Sequence, residues 1–129
     1  MIQIRRVYDD AAGQESVDGF RIYVDRLWPR GESKEKFHYA LWDKDIAPSK
    51  ELREWFHADP QGRWEEFSRR YMAELDANPE VPALLDEVTR HPLVTLLYSS
   101  KDTLHNNAVV LARYLEQKLA ISGGGARRR

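Results

Sequence analysis

The chain has 129 residues, 42% of them hydrophobic and 32% charged, a balance that fits one folded domain with a sizeable core and excludes an intrinsically disordered chain. It contains no cysteine, which excludes disulfides, thiolate nucleophiles and cysteine metal sites. The formal charge is −1, and the three arginines that end the chain contribute +3 to it, so the remainder stands at −4 and offers nucleic acid no global basic field.

The first residues, MIQIRRVYDD, lack the apolar stretch of a signal peptide, and no run of 18 apolar residues occurs to span a membrane, so the expected compartment is the cytoplasm. Ile2, Ile4 and Val7 predict a short strand over residues 2–8 with one buried face. A polar loop follows. Phe20, Ile22 and Val24 then alternate with Arg21, Tyr23 and Asp25, which predicts a strand over 20–26. The stretch PRGESKEK reads as a loop, and FHYALWDKDIAPS as an irregular or short extended segment ending at Pro48.

Ser49 has the chemistry of an N-cap, with Glu51 in the first turn of a helix running to residue 57 and Leu52, Trp55 and Phe56 on its apolar face. Asp59 and Pro60 predict the start of a longer helix whose stripe is Trp64, Phe67, Tyr71 and Leu75. Asn78 and Pro79 repeat the device before Val81, Leu84, Leu85 and Val88. Leu93 to Tyr98 form a continuous apolar run, the signature of a strand buried on both faces. Asp102 is a plausible cap for a last helix striped by Leu104, Ala108, Leu111, Leu115 and Leu119. Residues 122–129, SGGGARRR, read as a flexible Gly/Arg tail behind a domain of residues 1–121. A long helical excursion between two strands is what a parallel crossover requires. The expected fold is a small layered single-domain α/β protein, its mainly parallel sheet flanked by helices.

In open α/β sheets ligands bind beyond the carboxyl ends of strands. Two predicted strands end in polar, charged residues. The first gives Asp25, Arg26, Trp28 and Arg30; the second gives Ser99, Ser100, Lys101 and Asp102, followed by His105 in what reads as the first turn of the last helix. If the strands are neighbours, the two sets converge on an edge suited to an anion, with Arg26 and Arg30 as planar forks, Lys101 as a point charge and the serines as hydrogen-bond donors. The helix terminus would favour the neutral form of His105, which suits a general acid or base, and Asp25 would orient Arg26 or His105. Each residue also has a structural reading: Arg26 as an ion-pair partner, Arg30 as a solvated charge, Trp28 and Trp42 as packing anchors, Ser49 and Asp102 as caps, His105 as a surface histidine. No glycine-rich phosphate loop occurs, and His38, His57 and His91 have no ligand spacing, so neither a cofactor nor a metal is expected.

The blocks GFRIYVDRLWPRG, LWDKDIAPSKELREWF, WEEFSRRYMAEL and VTLLYSSKDTLHNNAVVLARYL, in that order, resemble the YeaO-like proteins of domain-of-unknown-function family 488 over residues 2–119. The resemblance implies a small cytosolic α/β protein and brings no established activity. Other branches of that family are similar in an Asp-x-Arg motif after the early strand and in a Cys-His-Arg run near the last helix. By that likeness Asp25 with Arg26 or Arg30 matches the first motif and His105 the histidine of the second, while Leu104 stands in place of the cysteine and Asn106 in place of the arginine. Three readings stand side by side. The chain is an enzyme acting on a nucleotide-like or phosphorylated substrate, a non-catalytic module that senses a small anionic ligand or binds a protein partner, or a binder of nucleic-acid ends, the last opposed by the acidic body.

Overall fold

The computed structural model describes residues 1–9 and 15–127. In chain order it forms β1 (Ile2–Arg6), α1 (Glu15–Asp18), β2 (Phe20–Tyr23), β3 (Leu41–Trp42), α2 (Lys50–His57), α3 (Trp64–Asp76), α4 (Val81–Thr89), β4 (Val94–Tyr98) and α5 (Asn107–Arg127). The strands make one sheet in the order β1-β4-β2-β3, with each neighbouring pair parallel. The parallel α/β architecture is therefore as expected, and the excursion through α2, α3 and α4 is the crossover that returns β4 to the middle of the sheet.

The central place of β4 explains its unbroken apolar sequence, since all five of its residues are buried. Val94, Leu96 and Tyr98 share one core with Ile22 and Val24 and with side chains of α2 to α5, including Phe56, Phe67, Leu111 and Leu115. Phe56 and Phe67 stack with centroids 3.9 Å apart, fixing α2 against α3. Leu97 points to the opposite face, where it joins Val7, Tyr23 and Phe37, with Trp28 and Trp42 packed against them. The same face carries Asp18, fully buried, whose carboxylate pairs with Arg5 at 2.8 Å and Arg21 at 2.5 Å. A charge buried this deeply is tolerated because two guanidinium groups pair with it, and removing both would leave an uncompensated ion. Gly19 opens β2 at φ +68°, where a Cβ would stand 2.4 Å from the Leu93 carbonyl oxygen, so the close approach of β2 to Leu93 requires glycine.

Several element ends differ from the sequence reading, the two helix starts for a local hydrogen-bonding reason. The first strand stops at Arg6, and Val7–Asp9 form a 3₁₀ turn. The second stops at Tyr23, although the Val24 N–H still donates to Leu97 O at 3.1 Å. Asp59 does not open α3: its Oδ1 accepts the Gly62 N–H and its carbonyl accepts the Arg63 N–H, a turn that holds residues 60–63 and delays the helix to Trp64. Asp102 likewise caps a turn, accepting the N–H groups of Leu104 and His105, while Asn106 Oδ1 accepts the Val109 N–H and α5 begins at Asn107. The α5 backbone is helical from there to Arg127, across the expected domain end at Ile121, and Arg128 and Arg129 lie outside the described residues. Among the described residues no helix is long and apolar enough to cross a membrane.

Candidate functional site: a cationic cavity at the strand ends

The parallel pairing of β2 with β4, which sets Tyr23 opposite Leu97, brings the two polar strand-end segments together. They are joined directly. Asp25 Oδ2 accepts the Ser99 N–H at 2.9 Å and the Ser99 hydroxyl at 2.6 Å. Trp42 Nε1 donates to the Asp25 carbonyl at 2.7 Å, and Asn107 Nδ2 to the Val24 carbonyl at 3.1 Å. The Tyr23 hydroxyl donates to Leu27 O at 2.7 Å. Asp25 therefore serves as the tie between β2 and β4, and its carboxylate is engaged by Ser99 rather than by Arg26 or His105.

Beside this tie lies a cavity of about 720 Å³. Its lining brings together Asp25, Arg26, Trp28, Arg30, Ser99, Ser100 and Lys101, and of the two strand-end sets read in the sequence it leaves out Asp102 and His105. It also takes in Arg6 and Tyr8 after β1, Arg53 and His57 of α2, and Asn106 and Asn107 at the start of α5. Phe56, Phe67, Ala47 and Pro48 give it apolar walls. Arg6 Nε donates to Ser100 O at 2.8 Å. Arg26 Nη1 stands 3.8 Å from Asp45 Oδ1, a long contact between exposed groups. Among the described residues the side chains of Arg30, Arg53 and Lys101 have no ion-pair partner. Five permanent cations thus line the cavity, against one carboxylate that already accepts two hydrogen bonds.

Trp28 is both wall and anchor. Its Nε1 donates to Glu32 O at 2.7 Å, and its ring meets Phe37 and Trp42 edge to face. His105 lies outside the cavity lining. It precedes α5 rather than sitting in its first turn; its Nδ1 is 3.0 Å from Asp102 Oδ2 and its ring packs edge-on to Trp64. Burial tends to raise the Asp102 carboxyl, but the amides of Leu104 and His105 and the His105 ring outweigh it and hold it below its ordinary value. Burial, reinforced by the Asp25 charge, pushes the Tyr23 phenol well up, so Tyr23 stays a neutral donor beside the site.

Of the residues missed in the sequence, those of α2 carried a readable signal. Arg53, Phe56 and His57 have the i, i+3, i+4 spacing of one helix face, and reading that helix for its apolar stripe alone passed over the two polar members. Arg6 is the last residue of β1, and its place in the site follows only from β1 lying beside β4. Among the described residues no three His, Asp or Glu side chains group to hold a metal ion.

Fold and site together define a small parallel-sheet α/β domain with a cation-lined cavity beyond the carboxyl ends of its strands. Comparison with known proteins supplies the family. The model described as "Inactive DUF488-N3 subclade" matches residues 1–128, and the chain belongs to that family. It is 45% identical over 114 residues to Uncharacterized protein YeaO of Escherichia coli (strain K12), covering 88% of this chain and 96% of that one. It is 40% identical over 114 residues to Uncharacterized protein Rv3073c of Mycobacterium tuberculosis (strain ATCC 25618 / H37Rv), covering 88% and 92% of the two chains. No solved structure matches it significantly.

Proposed function

We propose that this chain is a cytoplasmic, non-catalytic protein whose strand-end cavity binds a small anionic ligand, phosphate-bearing before carboxylate-bearing. The observation that carries the reading is the charge of the lining: Arg6, Arg26, Arg30, Arg53 and Lys101 against Asp25 alone, with Asp25 committed to Ser99. Like charges gathered along one cavity attract a counter-charge, and arginine forks match the oxygens of a phosphate. Apolar walls then give an organic body something to pack on.

Three points favour binding over turnover. The family is described as inactive. Leu104 and Asn106 stand where the resemblance to other branches puts a cysteine and an arginine. His105 is engaged by Asp102 and Trp64 outside the lining. His57 is the imidazole that lines the cavity and is the group through which a catalytic reading would have to run.

A thermal-shift panel of phosphate, sulfate, mononucleotides, phosphosugars and short oligonucleotides tests the proposal, run with the wild type, Arg26→Ala and Arg53→Ala. A ligand at 100 times its Kd stabilises by about 2.7 kcal/mol, a shift of several degrees. The expected result is a shift with phosphate-bearing ligands, reduced in both variants, with the ligand recovered unchanged after long incubation. No shift with any member of the panel would refute the binding reading, and ligand conversion would refute the non-catalytic one.

A further inference from the structure

The cavity lining is rich in hydrogen-bond donors, and its acceptors are already in use. From that imbalance we infer that the ligand is a phosphate monoester with an apolar body, a small aryl or alkyl phosphate, rather than a phosphorylated sugar. This rests on the anion-binding reading above and names the class of ligand. The arginine and lysine side chains of the lining donate hydrogen bonds and accept none. Its one carboxylate, Asp25, accepts the Ser99 N–H at 2.9 Å and the Ser99 hydroxyl at 2.6 Å. Backbone acceptors of lining residues are occupied as well. The Leu27 carbonyl accepts the Tyr23 hydroxyl at 2.7 Å, the Arg30 carbonyl accepts the Tyr8 hydroxyl at 2.7 Å, and the Ser100 carbonyl accepts Arg6 Nε at 2.8 Å. The neutral side chains are engaged in the same way. Trp28 donates to the Glu32 carbonyl, and Asn106 and Asn107 donate to those of Asp102 and Val24. Asn106 Oδ1 accepts the Val109 N–H, and the Ser100 hydroxyl accepts the Asp102 N–H.

A phosphate dianion only accepts, so it suits such a lining. A sugar hydroxyl donates as well as accepts, and each one drawn in from water would meet acceptors that are already occupied. An apolar body makes no such demand and gains by covering apolar surface. That surface is present. Phe56 and Phe67, stacked with centroids 3.9 Å apart, belong to both the core and the lining and keep only 3% and 1% of their area exposed. Leu27, in the same lining, is 63% exposed and is the apolar side chain that a ligand body can cover. At about 720 Å³ the cavity lies within the roughly 300–1,000 Å³ of small-molecule sites, which leaves room for a body beside the phosphate.

Isothermal titration calorimetry on the full chain tests this with inorganic phosphate, phenyl phosphate and glucose 6-phosphate, at a pH where both esters are dianions. Vesicles of phosphatidylcholine and phosphatidic acid, in a sedimentation assay, present the same phosphate chemistry on a lipid surface. Leu27→Ala removes the exposed apolar contact; the side chain is mostly in solvent, so the variant is expected to fold. The expected result is a phenyl phosphate affinity about tenfold above that of glucose 6-phosphate, with glucose 6-phosphate no tighter than inorganic phosphate. Leu27→Ala should lose about fivefold for phenyl phosphate and leave inorganic phosphate unchanged within twofold. Glucose 6-phosphate binding as tightly as phenyl phosphate, or phenyl phosphate unaffected by Leu27→Ala, would overturn the apolar-body inference and leave the anion site standing. Sedimentation with the vesicles that phenyl phosphate fails to compete away would overturn the small-molecule source. Failure of every probe to bind would overturn this inference together with the reading beneath it.

Discussion

Replacing Asp25 by alanine should destabilise the domain even without ligand, because Asp25 is the tie between β2 and β4. The substitution removes an acceptor of two hydrogen bonds, from the Ser99 N–H at 2.9 Å and the Ser99 hydroxyl at 2.6 Å. Hydrogen bonds to a charged group contribute about 1.5–3 kcal/mol each, and the half-buried position of Asp25 selects the lower end, so the expected loss is about 2–4 kcal/mol. For a domain of this length 1 kcal/mol moves Tm by about 3–5 °C, so Asp25→Ala should melt on the order of 10 °C lower. Asp25→Asn keeps an acceptor oxygen without the charge and should lose about half as much. Urea unfolding followed by tryptophan fluorescence gives the free energy, and circular dichroism gives Tm. A Tm lowered by less than 2 °C in Asp25→Ala, with an unchanged m-value, would refute the assignment of Asp25 as the strand tie.

Other outcomes follow from the same structure. Burial first, and the Glu80 carboxylate second, push the buried Asp43 up to about 7 from an ordinary 3.8. Its unfolded form therefore loses its proton at lower pH than its folded form does, so stability should fall as pH rises from about 4 to about 7, by on the order of a few kcal/mol, and level off above. Asp43→Asn should flatten that slope in urea unfolding measured across the range. Ser49 caps α2 through the Leu52 N–H at 3.2 Å and donates its hydroxyl to Glu74 of α3 at 2.6 Å. Ser49→Ala should cost about 1–2 kcal/mol, read as a lower urea midpoint. His105 lies outside the cavity lining, so His105→Ala should lower Tm modestly through the lost Asp102 and Trp64 contacts while leaving phosphate-ligand affinity unchanged within twofold.

The parts of the fold legible in the sequence were those fixed by hydrophobic period. The run Leu93–Tyr98 could be satisfied only by a strand covered on both faces, and β4 is one of the two inner strands. Ser49 sat where a cap must sit, and its side chain does accept the Leu52 N–H. Helix starts were less legible where a side chain had two ways to satisfy nearby amides. Asp59 and Asp102 have cap chemistry, yet both spend it on turns, and the helices begin five residues later in each case, at Trp64 and Asn107. The candidate site followed the same division. Residues consecutive with a strand end, such as Asp25 to Arg30 and Ser99 to Lys101, could be gathered from the sequence alone, because parallel strands carry their ends to one edge. Arg6 could not, because its presence depends on β1 lying beside β4, and Arg53 could be placed on one face of α2 with Phe56 and His57 but not against the cavity. His105 stands before α5 and outside the cavity lining for the reason the helix start is late: the Asp102 turn accepts its N–H, and the ring packs on Trp64.

The central claim is that anions bind in the cavity at the ends of β1, β2 and β4, and it is tested most directly by an amide and arginine-Nε NMR titration with inorganic phosphate at low ionic strength. The account predicts saturable shifts concentrated at the amides of residues 26–28, 30, 99–101, 106 and 107 and at the Nε groups of Arg26 and Arg53, which line the cavity. Saturable shifts centred on any other part of the domain, with those signals unmoved, would contradict it.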